Sequence, residues 1–244
     1  MGAPTRFTSG FTQDYPFQPL GQIGQQNPMF YATYHDEFIG YLPGRYVITT
    51  TSAGTVAQTA GAFGRLLFTT NASIPLATDI ASLQVDAAAF SLASNYKCAY
   101  FTRFQVSDVT NSAFNVGLIQ TSTTPFTVTD GIYFGKASGS AVVTLYSVSA
   151  SVVTGSVVVP VTLANATDID LAFLYDGKGN ILAYTGYPLV GKVPVQSSAV
   201  LGPTASMIPT SFTSTVLTPT LAIQSGTASS KTMNVDFQYA ARER

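Results

Sequence analysis

The chain has 244 residues, of which 46% are hydrophobic and only 9% are charged. This composition excludes an intrinsically disordered chain, which combines low hydrophobicity with high charge. The 11 basic and 12 acidic residues give a net charge of −1 and form no blocks of one sign, so the sequence predicts no binding to nucleic acid or to an anionic membrane. With so few ionisable side chains, and with threonine at 32 positions instead, we do not expect an acid–base enzyme.

The N-terminal residues contain no apolar stretch of the kind that a secretory signal needs. No run in the chain approaches the roughly 18 apolar residues of a membrane helix. The single cysteine, Cys98, excludes an intrachain disulfide bond. We therefore expect the chain to be made and assembled in a cytoplasm.

Residues 1–45 differ from the rest of the chain because they are rich in proline, glutamine and aromatic residues and show no sustained periodicity. Proline interrupts β-ladders, so we expect an extended arm with at most a short turn near residues 34–38. Aromatic rings bury large areas when they find a partner, and the arm must pack either on its own domain or on a neighbouring subunit. The aromatic residues in question are Phe7, Phe11, Tyr15, Phe17, Phe30, Tyr31, Tyr34, Phe38 and Tyr41.

From residue 46 onward the sequence predicts one strand after another, separated by turns rich in Gly, Ser, Thr and Asp. No window shows a convincing helical face. This pattern predicts an all-β domain over residues 46–244, an antiparallel β-sandwich or jelly roll. The predicted strands are 46–51, 97–106, 113–119, 131–137, 141–148, 151–161, 171–175, 180–184, 221–224 and 231–239.

Several of these strands carry further information. Residues 171–175 are continuously apolar, which is typical of a central strand buried on both faces. Asp176-Gly177 follows them and predicts a hairpin. The last strand alternates, and the alternation predicts that Met233, Val235, Phe237 and Tyr239 share one face. Residues 120–129 are expected to form an exposed loop, and residues 188–219 a long loop before the final strands.

The sequence offers few residues for catalysis or metal binding. Glycoside hydrolysis needs two facing carboxylates, but the only glutamates are Glu37 and Glu243, far apart in the chain. Asp168 and Asp170 alternate at the start of a strand and supply too few oxygens for calcium, so we interpret them as solvated strand-end carboxylates.

The one histidine, His35, lacks a second histidine or a nearby cysteine to complete a zinc site, and no Gly-x-Ser-x-Gly motif accompanies it. Cys98 lies in a predicted strand between aromatic residues, where a buried apolar role is expected. The sequence therefore predicts no catalytic residue, no metal and no cofactor.

Residues 87–190 contain a characteristic set of strand ends and turns. Residues 100–108 form an aromatic, alternating strand that ends in Val-Ser-Asp, and residues 129–134 read Thr-Asp-Gly-Ile-Tyr-Phe after a Thr/Pro loop. Residues 173–179 form an apolar strand and a hairpin, and residues 232–239 a closing strand. In these features the chain resembles a group of tailed-bacteriophage virion proteins that have a lectin-like, concanavalin-type jelly roll.

The resemblance implies a capsid decoration or cement protein on the outer head of a tailed phage, bound to the major capsid protein. Its location would be the virion surface, and the nine aromatic residues of the arm would contact the capsid or a sister subunit. Analogy with other decoration proteins implies self-association, with a trimer at threefold positions as one form. Glucanases of this fold carry a Glu-x-Asp-x-x-Glu strand that this chain lacks, so the resemblance does not imply hydrolysis.

Three alternatives stay open at this point. The first is a glycan-binding head-fibre or tail receptor-binding module, with residues 120–129 and tyrosines forming the sugar site, although tryptophan is absent. The second is a shell-forming capsid protein, for which the expected basic arm is missing. The third is a degenerate enzyme, which would need a carboxylate pair that the sequence does not contain.

Overall fold

In a computed structural model, the described residues are 31–59, 64–86, 90–92, 96–185, 204–211 and 215–244. They form two antiparallel sheets, as predicted. Sheet A runs from β14 (Ala205–Met207) through β13 (Ile181–Thr185), β12 (Ile169–Tyr175), β7 (Cys98–Val106), β16 (Thr232–Glu243) and β4 (Leu66–Thr69) to β3 (Thr55–Gln58), and β1 (Tyr31–Asp36) also pairs with β16. Sheet B runs from β11 (Val152–Val159) through β10 (Val143–Ser149), β9 (Gly131–Lys136), β8 (Ser112–Ile119), β15 (Val216–Ser225) and β5 (Ile80–Val85) to β2 (Tyr46–Thr50), and β6 (Phe90–Ser91) also pairs with β15.

The main core lies between the two sheets, because alternate residues of each strand point inward. Aromatic side chains fill its centre. The Tyr100 ring stacks on Phe173 with centroids 5.6 Å apart, and Phe104 meets Phe114 edge to face at 5.0 Å. Each buried aromatic ring of this size stabilises the fold by roughly 1.5–3 kcal/mol. None of the described residues forms a helix long and apolar enough to span a membrane.

Strand β12 is buried on both of its faces, as its apolar sequence predicted. Leu171 and Phe173 face the main core, and Ala172 and Leu174 face outward into a second buried group. We call this second group the outer apolar cluster; it comprises Ala99, Phe101, Ala172, Leu174, Tyr184, Tyr239 and Ala241.

The hairpin after β12 is also confirmed. Asp176 accepts hydrogen bonds from the backbone amides of Lys178 (2.7 Å) and Asn180 (3.0 Å). Gly177 and Gly179 have φ values of 77° and 107°, which only glycine adopts without strain. The turn therefore joins β12 to β13 in the register that pairs Tyr175 with Ile181.

A β-bulge in β16 overturns the predicted alternation of the last strand. Val235 pairs with Phe104 and Phe237 pairs with the next residue, Arg103, so Asp236 is an extra residue. Met233 and Val235 lie in the main core, whereas Phe237 packs with the outer apolar cluster. An inserted residue exchanges the two faces of everything that follows it. The prediction that Phe237 and Tyr239 share a face with Met233 is therefore wrong.

The predicted arm is shorter than 45 residues, because residues 31–45 belong to the sandwich. Strand β1 pairs with β16 from Tyr31 opposite Glu243 to Asp36 opposite Gln238. A 3-10 turn, Pro43–Arg45, then leads directly into β2. Residues 1–30 of the predicted arm lie outside the described residues.

The long loop predicted over residues 188–219 is only partly confirmed. The described part contains β14, and β15 already begins at Val216. Pro219 lies inside β15, where it pairs with Leu118 of β8. On the other side of β15 the partner changes at this point from β6 to β5, so the missing proline amide falls where the ladder is interrupted.

The bulge also places a polar side chain, Gln238, in the core. Gln238 is fully buried, and its Nε2 donates to the hydroxyl of Tyr100 at 2.9 Å. The Tyr100 hydroxyl in turn donates to the backbone oxygen of Thr220 in sheet B at 3.4 Å. A chain of hydrogen bonds thus joins the two sheets through an otherwise apolar core.

We predict that Tyr100→Phe lowers the free energy of unfolding by about 1–3 kcal/mol, because it leaves the buried amide of Gln238 without an acceptor. Adding Gln238→Leu should recover part of this loss, since the unpaired amide is then gone. Urea unfolding of the two single variants and the double variant measures this coupling. Tyr96→Phe, at an exposed position, is the control. Additive effects in the double variant would contradict the prediction.

Candidate binding face

The outer face of sheet B carries a pair of tyrosines on neighbouring strands. Tyr133 of β9 is directly opposite Tyr146 of β10. Their ring centroids are 5.4 Å apart and the rings are tilted by 30°. Asn115 of β8 lies beside them, opposite Gly135. We call Asn115, Tyr133, Tyr146 and the adjoining loop of residues 120–130 the tyrosine face.

Two glycines allow the tyrosines to lie close to the sheet. A Cβ atom on Gly135 would lie 3.1 Å from Cε2 of Tyr146 and 3.2 Å from Cε2 of Tyr133. A Cβ atom on Gly117 would lie 2.5 Å from Cα of Tyr133. The rings therefore cover glycine backbone across the strands, a cross-strand arrangement that also fixes register.

Two buried amide side chains hold the loop of residues 120–130 against this sheet. Asn115 donates from Nδ2 to the backbone oxygen of Pro125 at 3.0 Å. Gln84 accepts from the backbone amide of Ser122 at 2.8 Å and donates to Thr220 Oγ1 at 2.9 Å. The segment is a loop, as predicted, and all five of its threonines are exposed. The sequence did not indicate that Pro125 would be buried against the sheet.

The tyrosine face carries one charged residue, Asp130 at the end of its loop, whose carboxylate accepts a hydrogen bond from the backbone amide of Ala150 at 3.1 Å. The described strands of sheet B contain no acidic residue, and their single charged residue is Lys136. Lys136 is buried at the end of the sandwich, where its Nζ donates to the backbone oxygens of Ser112 (2.6 Å) and Ala137 (3.1 Å). Burial lowers the pKa of Lys136 and raises the pKa of Tyr133 to about 12, so Tyr133 is a neutral phenol at neutral pH.

Asp168 and Asp170, interpreted from sequence as solvated carboxylates, belong instead to an ion-pair network on the outer face of sheet A. Arg103 donates to both oxygens of Asp170, at 2.7 and 3.1 Å. Arg65 lies 3.3 Å from Asp168 and 3.7 Å from Asp236. A bidentate arginine–carboxylate pair is a strong, directional contact. The arrangement stabilises the sheet and does not present two facing carboxyl groups to a substrate.

The structure places the other two candidate reactive residues apart from one another. Cys98 is buried in the main core, and burial raises the pKa of its thiol to about 12. His35 lies on the outer face of β1, edge-on to the Tyr239 ring at 6.0 Å and 3.6 Å from Glu37. It borders a shallow, open depression that Arg45 and Ile39 also line.

The described aromatic residues of the predicted arm mostly face inward. Phe38 is completely buried, and Tyr34 and Tyr41 pack against the main core. Tyr31 packs against the outer apolar cluster. The sandwich itself occupies these rings, so they offer little surface to another protein. Phe7, Phe11, Tyr15, Phe17 and Phe30 lie outside the described residues.

A second surface feature is the exposed edge of sheet B, which we call the valine edge. Strand β11 is the edge strand and has no charged residue. Val152, Val153 and Val158 are 63%, 55% and 59% exposed, and Ile208, just after β14, is 74% exposed. The middle of this strand is covered, because the backbone amide of Thr210 donates to the Thr154 oxygen at 3.0 Å.

The sequence predicted the strands that carry both features, and residues 120–129 with unspecified tyrosines were one alternative for a sugar site, but neither the Tyr133–Tyr146 pair nor the valine edge was identified. The tyrosine pair could have been predicted from the sequence, because Tyr133 and Gly135 lie two residues apart in one predicted strand and Tyr146 lies in the next. The valine edge could not have been predicted in this way, because the position of a strand at the edge of a sheet depends on the complete topology.

We predict that Gln84→Ala releases the loop of residues 120–130, because the variant loses the acceptor of the Ser122 amide and the Thr220 contact. Hydrogen exchange at the Ser122 amide should accelerate by at least about tenfold, as expected for a locally opened segment. Amides of β9 and β10 should be unaffected. Gln105→Ala, which removes an amide on the outer face of sheet A, is the control. Unchanged exchange at Ser122 would contradict this account of the loop.

Comparison with solved structures identifies the architecture. An endo-1,3-β-glucanase from Streptomyces sioyaensis matches with a TM-score of 0.57 and 10% identity, over 87% of this chain and 96% of its own. Arcelin-5, a lectin-like defence protein from Phaseolus vulgaris, matches with a TM-score of 0.53 and 8% identity, over 88% of this chain and 98% of its own. The carbohydrate recognition domain of Emp47p matches with a TM-score of 0.55 and 12% identity, over 85% and 93%.

No protein-family model matches the chain, and no curated protein matches it in sequence. Identities this low establish the fold alone. The chain therefore has the concanavalin-like jelly roll that glucanases and lectins share, as the sequence predicted.

Proposed function

We propose that the chain is a non-enzymatic structural protein of a tailed-phage virion, a decoration or cement protein that binds the major capsid protein on the outer head. The observation that carries the proposal is the valine edge, an exposed and uncharged strand at one side of the sandwich. The resemblance of residues 87–190 to phage virion proteins supports the same assignment. In this proposal the chain is assembled in the host cytoplasm and ends on the capsid surface.

The composition of the valine edge suits a protein–protein interface. Interface centres are depleted in charged residues, and soluble proteins usually protect exposed edge strands with lysine, proline or bulges. Here the middle of β11 is covered by residues 208–210, since the Cα of Pro209 would lie only 3.2 Å from a Cβ on Gly155. Contact with a shell would therefore use the valine and isoleucine side chains rather than adding a further strand.

The arrangement of carboxylates supports the non-enzymatic part of the proposal. Hydrolysis on a jelly-roll sheet needs an acid and a second carboxylate facing a cleft. The described strands of sheet B carry no acidic residue, and Asp168, Asp170 and Asp236 face arginines on sheet A. The tyrosine face has Asp130 as its single carboxylate, and so it lacks the facing pair that would cleave a bound glycan.

We predict that Val152→Asp with Val158→Asp weakens binding to expanded, undecorated phage heads by about 100-fold, because burying two unpaired carboxylates is unfavourable. Co-sedimentation gives the affinity, imaging shows the lattice position, and the head disruption temperature should rise only with the wild-type chain. Ile74→Asp, which charges a more exposed apolar position between β4 and β5, is the control. Absence of wild-type binding to heads would overturn the capsid assignment.

A second candidate function is glycan binding, as in a head-fibre or tail receptor-binding module. The tyrosine face favours it, because two adjacent aromatic rings offer an apolar platform and the exposed threonines of the neighbouring loop offer hydrogen-bonding groups. One structural neighbour is a carbohydrate recognition domain, although it shares only 12% identity with this chain.

If glycans bind here, we predict that Tyr133→Ala and Tyr146→Ala each abolish retention on a glycan array, because either change removes half of the aromatic platform. Tyr96→Ala, which removes an exposed tyrosine elsewhere, should retain binding. Circular dichroism confirms that each variant is folded. A wild-type chain that binds heads but no glycan would reject this second candidate and leave the first.

A further inference from the structure

We propose that two copies of the chain pair through strand β2, edge to edge around a twofold axis, so that sheet B continues from one copy into the other. We call strand β2 with the nearby side chains of Ile39, Leu42 and Leu76 the β2 edge. This edge and the valine edge lie at opposite ends of sheet B. The proposal therefore goes beyond the proposed function, because it assigns a partner to a different surface.

The backbone of β2 directs alternate residues toward β5 and away from it. The Asp86 amide donates to the Arg45 oxygen at 3.1 Å, and the Thr51 amide donates to the Ile80 oxygen at 3.0 Å. These two pairs lie just beyond the two ends of the β2–β5 ladder and fix its alternation. Odd-numbered residues of β2 therefore bond to β5, and the amide and oxygen of Ile48, at the centre of the strand, point away from it.

The side of β2 that faces away from β5 is unpaired and unprotected. In the described part of the chain β2 pairs with β5 alone, and the Tyr46 amide is the one outward-facing amide that is already bonded, to the Pro43 oxygen. The strand contains no lysine, no proline and no register shift toward β5. Such features usually protect an edge strand, because an unpaired edge is a template for another strand. The β2 edge is therefore suited to accept one more strand.

Exposed apolar side chains lie at both ends of this edge. Ile39 and Leu42 precede β2 and are 65% and 61% exposed. Leu76, which is 56% exposed, belongs to the turn before β5, and the first residue of β5 bonds to Thr51 at the far end of β2. Ile48, between the two ends, is 37% exposed. The β2 edge thus has an apolar centre and an apolar side chain at each end.

A second copy of the same edge satisfies the backbone groups. Antiparallel pairing about a twofold axis at Ile48 places the Ile48 amide of each copy against the Ile48 oxygen of the other. The Thr50 amide of each copy then donates to the Tyr46 oxygen of the other. Because the axis passes through the central residue of the strand, the two strands overlap over their full length.

The same axis brings the apolar side chains together. In antiparallel pairing the start of one β2 lies beside the end of the other, so Leu42 of each copy approaches Leu76 of the other. No like charges meet between the two strands, since β2 has no charged residue. Any extended strand would satisfy the backbone groups, but the apolar side chains at the two ends of the β2 edge are complementary to the β2 edge itself. This complementarity favours a second copy as the partner.

A dimer of this kind has a consequence for capsid binding, and this consequence alone rests on the proposed function. With the two β2 strands at the centre, the two valine edges lie at the far ends of the combined sheet, because β11 is the opposite edge of sheet B. Two linked contacts bind a lattice more tightly than one, since the second contact is intramolecular. The dimer would therefore join two sites on the shell.

Disulfide trapping tests the pairing directly. The Cα atoms of a hydrogen-bonded antiparallel pair lie about 5.5 Å apart, which a disulfide bond can span. Mild oxidation of the full-length Ile48→Cys chain should join two copies, while the native Cys98 does not react because it is buried. Val153→Cys, on the valine edge, is the matched control and should not form a cross-link. Cross-linking only in a mixture of the two variants would mean that β2 binds the valine edge of the next copy, and would overturn the twofold arrangement.

Sedimentation equilibrium without phage heads measures the association independently of the capsid. The wild-type chain should be a dimer, and Ile48→Lys should weaken it by at least about tenfold, because like charges then lie opposite each other across the axis. Val153→Lys, which charges the other edge of sheet B, should leave the dimer unchanged, and circular dichroism confirms that both variants are folded. A wild-type chain that is monomeric or trimeric at every concentration would overturn the proposal, whether or not that chain binds heads.

Discussion

The extra residue at Asp236 determines how the two faces of sheet A are used. Without it, the alternation of β16 would direct Phe237 and Tyr239 into the main core. With it, Gln238 and Ala240 enter the core, and Tyr239 and Ala241 join Phe101 on the outer face. One inserted residue thus creates a second apolar surface and, at the same time, the polar bridge through Tyr100 that joins the two sheets.

Much of the architecture was accessible from the sequence, because it follows from local patterns. The apolar run of β12, the Asp176-Gly177 turn and the alternation of β7 each depend on neighbouring residues only. The bulge could not be predicted from the sequence, because Asp236 in an alternating strand is equally compatible with a regular ladder. Only the pairing of β16 with Arg103 and Phe104 reveals it. Strand β1 was not predicted either. Its aromatic residues follow a segment that is also rich in aromatic residues, proline and glutamine, so composition alone does not separate the strand from that segment.

The tyrosine face combines features that the sequence predicts with contacts that it does not. Tyr133 and Tyr146 lie on strands that were predicted, and hairpin pairing of those strands brings them together. The loop beside them is held by Gln84, which precedes Ser122 by 38 residues, and no local pattern reports such a contact. The same holds for Asp170, whose pairing with Arg103 spans 67 residues and depends on the order of strands in sheet A. Such long-range polar contacts depend on which strands are neighbours in the sheet, so they become predictable only when the topology is known.

The central position of β16 has a consequence for the order in which the molecule can fold. This strand pairs with β7, β4 and β1, so sheet A is incomplete until residues 232–243 have left the ribosome. Strands β8 to β11 pair with their sequence neighbours and need only short loops to close. The meander of sheet B can therefore form during synthesis. Over the same period, the edges of β1, β4 and β7 that pair with β16 stay unpaired. Until β16 is synthesised, these unpaired strand edges are open to pairing with another chain.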